Sequence, residues 1–242
     1  MLELKNVTKR YLRRTALDDV SLNIETGQTC LLLGPNGSGK TTMMKLIAGL
    51  ARPTSGQITL DSQDIGPATK ARVAYMPTEN YFYNWMTVRD IGKYYADFFH
   101  DFDPARFSRM LTEMELDEAD RIRQLSSGMA AKLRLSLTLS RDAGVMMFDE
   151  PLNGVDILTR TQTIDAIQAG RQAGRTMLIS THLVDELEDV VDYLVFLKHG
   201  KLVMAGDKAG ICAGRSLKDL YIEIYGHATA EPQPEGEAKT YA

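Results

Sequence analysis

The spacing of apolar residues changes three times along the chain. Leu2 to Val7 and Val20 to Ile24 alternate apolar and polar positions, and Gln57 to Leu60 runs into Asp61-Ser62, which predicts half-buried strands and a turn. These segments predict a small antiparallel sheet. Thr29 to Leu33 is a short apolar run, followed after a glycine-rich stretch by helical spacing at Met43, Leu46, Ile47 and Leu50. From Thr87 to Ser140 the period is helical: Val88, Ile91, Tyr95 and Phe98 mark one helix, and Asp103-Pro104 start another through Phe107, Met110, Leu111 and Met114. This stretch predicts an inserted helical subdomain at about 84–141. Beyond it, Val145 to Phe148, Thr176 to Ser180 and Tyr193 to Leu197 are continuous apolar runs separated by helical stretches, the pattern of buried parallel strands. His199-Gly200 then predicts a hairpin into Lys201 to Ala205, and the alternation of Leu220 to Tyr225 predicts one more strand. Residues 227–242 are Ala-, Glu-, Pro- and Gly-rich without apolar period, which predicts a disordered tail after an ordered domain at 1–226.

With 242 residues and 44% hydrophobic content, the chain can bury a large core as one domain or as a core plus an insert. Its net charge of -4 gives no general attraction to nucleic acid or anionic lipid. Cys30 and Cys212 lack metal or redox spacing, and Met1-Leu2-Glu3 begins no secretory signal, so a reduced cytosol is expected. No run of ~18 uncharged apolar residues occurs, so the chain is not expected to cross a bilayer by itself.

Gly34, Pro35, Asn36, Gly37, Ser38, Gly39, Lys40, Thr41 and Thr42 form the pattern G-x-x-x-x-G-K-S/T between a predicted strand and a predicted helix. Glycines let successive backbone N–H groups face one anion, and the helix adds its positive end. Lys40 would hold the β- and γ-phosphates of a nucleoside triphosphate, and the Thr41 hydroxyl would ligate Mg²⁺. A second element is the run Val145 to Phe148 ending in Asp149-Glu150. Beside a phosphate loop, Asp149 can steady Mg²⁺ directly or through its water, and Glu150 can take a proton from an attacking water. Leu125-Ser-Ser-Gly-Met129 opens a helical stretch, where a hydroxyl and unpaired N–H groups can meet an anion.

Together these motifs resemble the ATP-binding subunits of ABC transporters from about Leu2 to Ala205. The resemblance places Tyr11 against adenine, Gly34 to Thr42 around the phosphates, and Leu125 to Met129 as the family signature. It places Asp156, in Asn153-Gly-Val-Asp156, at a dimer seam, and His182, in Ser180-Thr-His182, on the γ-phosphate as a sensor of its loss. The architecture it implies is α/β: a phosphate-loop NTPase core with an antiparallel β subdomain and an inserted α-helical subdomain. The function it implies is Mg²⁺-dependent ATP hydrolysis by a head-to-tail dimer, with Ser126 and Gly128 of one copy touching the γ-phosphate held by the other. That dimer is a homodimer or a heterodimer with a sister ATPase. It would drive a transmembrane permease from the cytoplasmic face of the membrane, without nucleic acid.

Two positions depart from the family. Where it usually carries Gln, as a ligand of Mg²⁺ and a contact to the membrane subunit, this chain has Thr78 followed by Glu79. Either the shorter Thr78 acts through a water or Glu79 takes over the cation. Met129 replaces the last Gln of the signature. The aromatic stretch Asn80 to Met86 is suited either to docking a coupling helix of the permease or to packing the inserted helices. With the signature, it resembles the bacterial drug and antibiotic exporter branch. A soluble relative acting on ribosomes or nucleic acid would carry a second phosphate loop or a long coiled coil, and neither is present. A phosphate-loop kinase of small molecules would need an Arg-rich lid and would have no use for the signature or Asp156.

Overall fold

The computed structural model describes residues 1–12, 14–171 and 174–226; the predicted tail at 227–242 lies outside the described residues. Strands β1 (Leu2–Tyr11), β2 (Arg14–Ile24), β4 (Ser55–Leu60) and β5 (Gln63–Asp64) form an antiparallel sheet in the order β2-β1-β4-β5. Strands β3 (Thr29–Leu33), β6 (Val73–Met76), β7 (Val145–Asp149), β8 (Thr176–Thr181), β9 (Tyr193–Lys198) and β10 (Lys201–Asp207) form the second sheet, ordered β10-β9-β3-β8-β7-β6. It is parallel except at β10, which closes an antiparallel hairpin with β9. His199 and Gly200 turn that hairpin with positive φ of 50° and 78°, the pair of left-handed residues a tight two-residue turn requires.

Every residue of β3, β7 and β8 is buried, because both faces of this sheet are covered. The period of two divides the core. On one face Leu31, Leu33, Phe148, Ile179 and Phe196 pack with the helices of the insert; on the other Cys30, Leu32, Met147, Leu178 and Val195 pack with the antiparallel sheet. Complete burial of a side chain such as Phe148 or Leu32 stabilises by about 1.5–3 kcal/mol. Both cysteines are buried and unbridged.

Helix α1 (Lys40–Ile47) follows β3, and the short α2 (Pro67–Lys70) precedes β6. Helices α3 (Val88–Phe98), α4 (Pro104–Glu113) and α5 (Ser127–Leu139) fill the span between β6 and β7. Asp103 caps α4 by accepting from the N–H groups of Ala105 and Arg106, as the Asp-Pro pair predicts. Arg141, just beyond α5, fastens this insert to the sheet: it donates to Asp101 and to the carbonyls of Val73 and Ala71. Its guanidinium also lies 4.0 Å over the Phe99 ring. Helices α6 (Ile157–Gly170), α7 (Val184–Leu187), α8 (Lys208–Cys212) and α9 (Leu217–Tyr225) follow among the described residues.

Three local expectations are corrected. Leu50 is not on the buried face of α1: the helix ends at Ile47, Gly49 turns with φ 66°, and Leu50 is exposed. Phe98 is likewise exposed and rests on Tyr94, with ring centroids 4.4 Å apart, while Val88, Ile91 and Tyr95 are buried as predicted. Leu220 to Tyr225 is helix, not strand. Ser216 caps α9 by accepting from the Asp219 N–H, and Leu217, Leu220 and Tyr225 are buried at helical spacing, leaving Ile222 exposed.

Candidate functional site

The order of the parallel strands builds the site. Because β8 lies between β3 and β7 and all three are parallel, the phosphate loop after Leu33, the carboxylates at the end of β7 and His182 after β8 meet at the carboxyl end of the sheet. Gly39, with φ 111°, stands at the cap of α1 without a side-chain cap, so the first-turn amides are left for an anion. A Cβ at Gly39 would meet the Ala16 carbonyl at 2.6 Å, so the loop cannot accept a larger residue there. Ser38 Oγ is buried and has no hydrogen-bond partner among the described residues, a donor suited to a phosphate oxygen.

Lys40 Nζ folds back to donate to the Gly34 carbonyl at 2.7 Å and lies 3.3 Å from Glu150 Oε1. The other oxygen of Glu150 is 2.9 Å from His182 Nδ1. Glu150 itself has φ 51°, unusual for a residue with a side chain. Ser180 holds it there, accepting the Glu150 N–H at its carbonyl, 3.1 Å away, and at its Oγ, 3.0 Å away. The carboxylate therefore leaves the strand at a defined angle between a lysine and a histidine.

Asp149 lies behind, wholly buried. Its Oδ1 accepts from Ser180 Oγ at 2.7 Å and from Thr41 Oγ1 at 3.2 Å, and its Oδ2 accepts from the Tyr75 hydroxyl at 3.1 Å. Burial, then the negative charge of Asp149, push the Tyr75 phenol far up, so it stays a donor. Thr78 Oγ1 donates to the Asp149 carbonyl at 3.0 Å. Thr41 and Thr78, both on the cleft, thus each hydrogen-bond Asp149, one at its carboxylate and one at its carbonyl, and all three carry the hard oxygen donors that suit Mg²⁺. Among the described residues no three His, Cys, Asp or Glu side chains gather into a metal cluster.

These groups face a cleft of about 540 Å³. Tyr11, Asn36 to Thr42, Thr78, Glu150 and His182 line it, and Gly34 and Pro35 form the root of the loop beneath. Lys9 Nζ lies 4.7 Å over one face of the Tyr11 ring. Ser126, Gly128 and Asp156 do not line the cleft; they meet one another instead. Ser126 caps α5 by accepting from the Met129 N–H at 3.2 Å, and Asp156 caps α6 by accepting from the N–H and hydroxyl of Thr159. The Thr159 N–H holds the Asp156 carboxyl below the usual carboxylate range. A Cβ at Gly128 would lie 3.7 Å from Asp156 Oδ2, and Ser127 Oγ donates to the Gly154 carbonyl at 3.3 Å.

Sequence reasoning missed Ser180, Tyr75 and Arg14, which lines the cleft and donates to the Gly37 carbonyl at 3.1 Å. Ser180 adjoined a motif already recognised, but its contacts with Asp149 and Glu150 depend on β8 lying beside β7.

The sequence profile of ABC transporters matches residues 17–153. An uncharacterized ABC transporter ATP-binding protein of Synechocystis is 32% identical over 81% of this chain, but the match covers only 58% of that protein's own length. The Nod factor export ATP-binding protein I of Sinorhizobium fredii is 30% identical, with 93% of this chain and 68% of that protein covered. A solved ATP-binding subunit of an ABC transporter superposes with a TM-score of 0.82 at 27% identity, covering 93% of this chain and 99% of the other. A phosphate loop, a carboxylate pair and a histidine at the carboxyl end of one parallel sheet, on a chain with these likenesses, lead to one conclusion: it belongs to the ABC transporter family, as an ATP-binding subunit with the family's ATPase machinery.

Proposed function

We propose that this subunit closes as a head-to-tail dimer around two ATP molecules and powers a separate membrane permease, in the export direction, from the cytoplasmic face. The observation that carries this reading is the separation of Ser126, Gly128 and Asp156 from the cleft of their own chain. They form one patch at the starts of α5 and α6, with helix N-termini suited to a γ-phosphate presented by another copy.

Within the closed site Lys40, Ser38 and the first-turn amides hold the phosphates, and Tyr11 stacks on the base. Thr41, Asp149 and Thr78 would hold Mg²⁺, which when bound neutralises charge developing on the phosphate oxygens. Glu150 takes the proton of the attacking water. His182, hydrogen-bonded to Glu150, donates to the γ-phosphate and loses that contact when phosphate departs.

The export direction is supported by the likeness to the Nod factor export protein. Docking to a permease is supported by Tyr83 and Trp85, each 68% exposed and stacked with centroids 6.0 Å apart, an aromatic face of the kind that anchors interfaces. Among the described residues no helix is long and apolar enough to cross a membrane.

Mixing two inactive variants tests the shared site. Lys40→Ala disables the loop and Ser126→Arg disables the signature; in a head-to-tail heterodimer both defects fall in one site and leave the other intact. Recovery of ATP hydrolysis on mixing is expected. No recovery, with both variants folded, would mean that the signature does not complete a partner's site.

A further inference from the structure

Helix α9 reaches the root of the phosphate loop. The Tyr225 hydroxyl lies 3.1 Å from the Leu33 carbonyl and 3.0 Å from the Leu197 carbonyl, and the side chain is buried. The Leu33 carbonyl ends β3, and the Leu197 carbonyl, on the neighbouring β9, lies against Gly34: a Cβ on Gly34 would clash with the Leu197 oxygen. The ring is fixed by Tyr221, 4.6 Å away, and Phe196, 6.2 Å away. The helix is fixed to the segment after His182 by Lys218 on Asp185 and by the Leu217 N–H on Glu188.

The Leu33 carbonyl shares a rigid peptide plane with the Gly34 N–H, so holding that oxygen fixes the direction in which the chain leaves β3. Gly34, lacking a Cβ, has little of its own to hold that direction. The next carbonyl, of Gly34, is held by Lys40 Nζ. When Lys40 turns to a phosphate it gives up that bond, and the grip of Tyr225 on the preceding plane persists. We infer that Tyr225 is a positioning residue for nucleotide binding: one phenol proton, shared in a three-centre bond between the Leu33 and Leu197 carbonyls, sets the exit angle of the phosphate loop. This rests on the ATP-binding role of the cleft and adds to it a residue from the C-terminal helix.

The test uses the full chain and MgATP. Tyr225→Phe keeps the ring and removes the donor. KM and the Kd of a fluorescent ATP analogue should rise roughly three- to tenfold, the loss expected for one hydrogen bond, with kcat at saturation unchanged. Replacing Tyr225 with 4-aminophenylalanine, which can donate to the same carbonyls, should restore both. Leu220→Ala, on the buried face of α9 but away from the loop, should lower Tm and leave KM unchanged. Wild-type KM and Kd in Tyr225→Phe would overturn the inference, as would a rise that 4-aminophenylalanine fails to reverse or that Leu220→Ala reproduces. A wild-type chain that bound no nucleotide would overturn the ATP-binding reading and this inference with it.

Discussion

Glu150 and Lys40 form a nearly buried ion pair, with Oε1 and Nζ 3.3 Å apart and 11% and 6% of the side chains exposed. The residue that would hold the γ-phosphate and the residue that would activate water therefore restrain each other. A triphosphate entering the loop competes for Lys40 and so releases Glu150, a residue that lines the same cleft.

The two residues should fail differently. Glu150→Gln is expected to cut turnover by ~10²–10⁴ while sparing ATP binding, because it removes only the base. Lys40→Ala is expected to weaken ATP binding by roughly 10- to 100-fold, the value of a charged hydrogen bond to phosphate. Phosphate release and nucleotide binding, measured on both variants, separate these effects. Normal turnover in Glu150→Gln would remove it from the role of base.

Ser180→Ala tests the support of the two carboxylates. Ser180 is wholly buried, donates to Asp149 and accepts from the Glu150 N–H. The variant should lose about 1–3 kcal/mol of stability in denaturant unfolding and lower kcat more than it raises KM, because the loop and Lys40 are untouched. An unchanged kcat would show that the Ser180 carbonyl alone can hold Glu150.

The buried phenols predict how the protein fails in alkali. Burial raises Tyr75 and Tyr225 well above the ordinary tyrosine range, so the folded chain keeps protons that the unfolded chain loses above about pH 10. Since the unfolded state then binds fewer protons, stability is full below that pH and falls as pH rises through it. Tyrosinate absorbance during an alkaline titration should show a late step that coincides with loss of near-UV dichroism. Ionisation of every tyrosine without unfolding would contradict the burial of these hydroxyls.

Trp85→Ala tests the aromatic face. Its ring is exposed, so ATP hydrolysis by the isolated subunit should stay within about twofold of wild type. Affinity for the permease should drop by roughly 30-fold, the loss of one central aromatic anchor. Undiminished assembly with the permease would place docking elsewhere.

What could be read from the sequence is what depends on neighbouring residues. Thr29 to Leu33 and Val145 to Asp149 show as buried strands because both faces of each are apolar, and Gly34 to Thr42 carries its chemistry within nine residues. Leu220 to Tyr225 misled because Ile222 and Ile224 mimic the alternation of a strand, whereas the cap at Ser216 and the sites that receive Leu220 and Tyr225 favour a helix. Tyr75, Ser180 and Tyr225 were illegible as site residues for another reason. Each acts through a hydrogen bond to a segment at least 28 residues away, set by which strands and helices lie side by side.

The shared active site is tested most directly by the mass of the Glu150→Gln protein in solution with and without MgATP. A shift from monomer to dimer on adding ATP is the expected result, since the variant binds nucleotide and cannot clear it by hydrolysis. A protein that binds ATP at full occupancy and stays monomeric would contradict closure of two copies of this chain around two nucleotides.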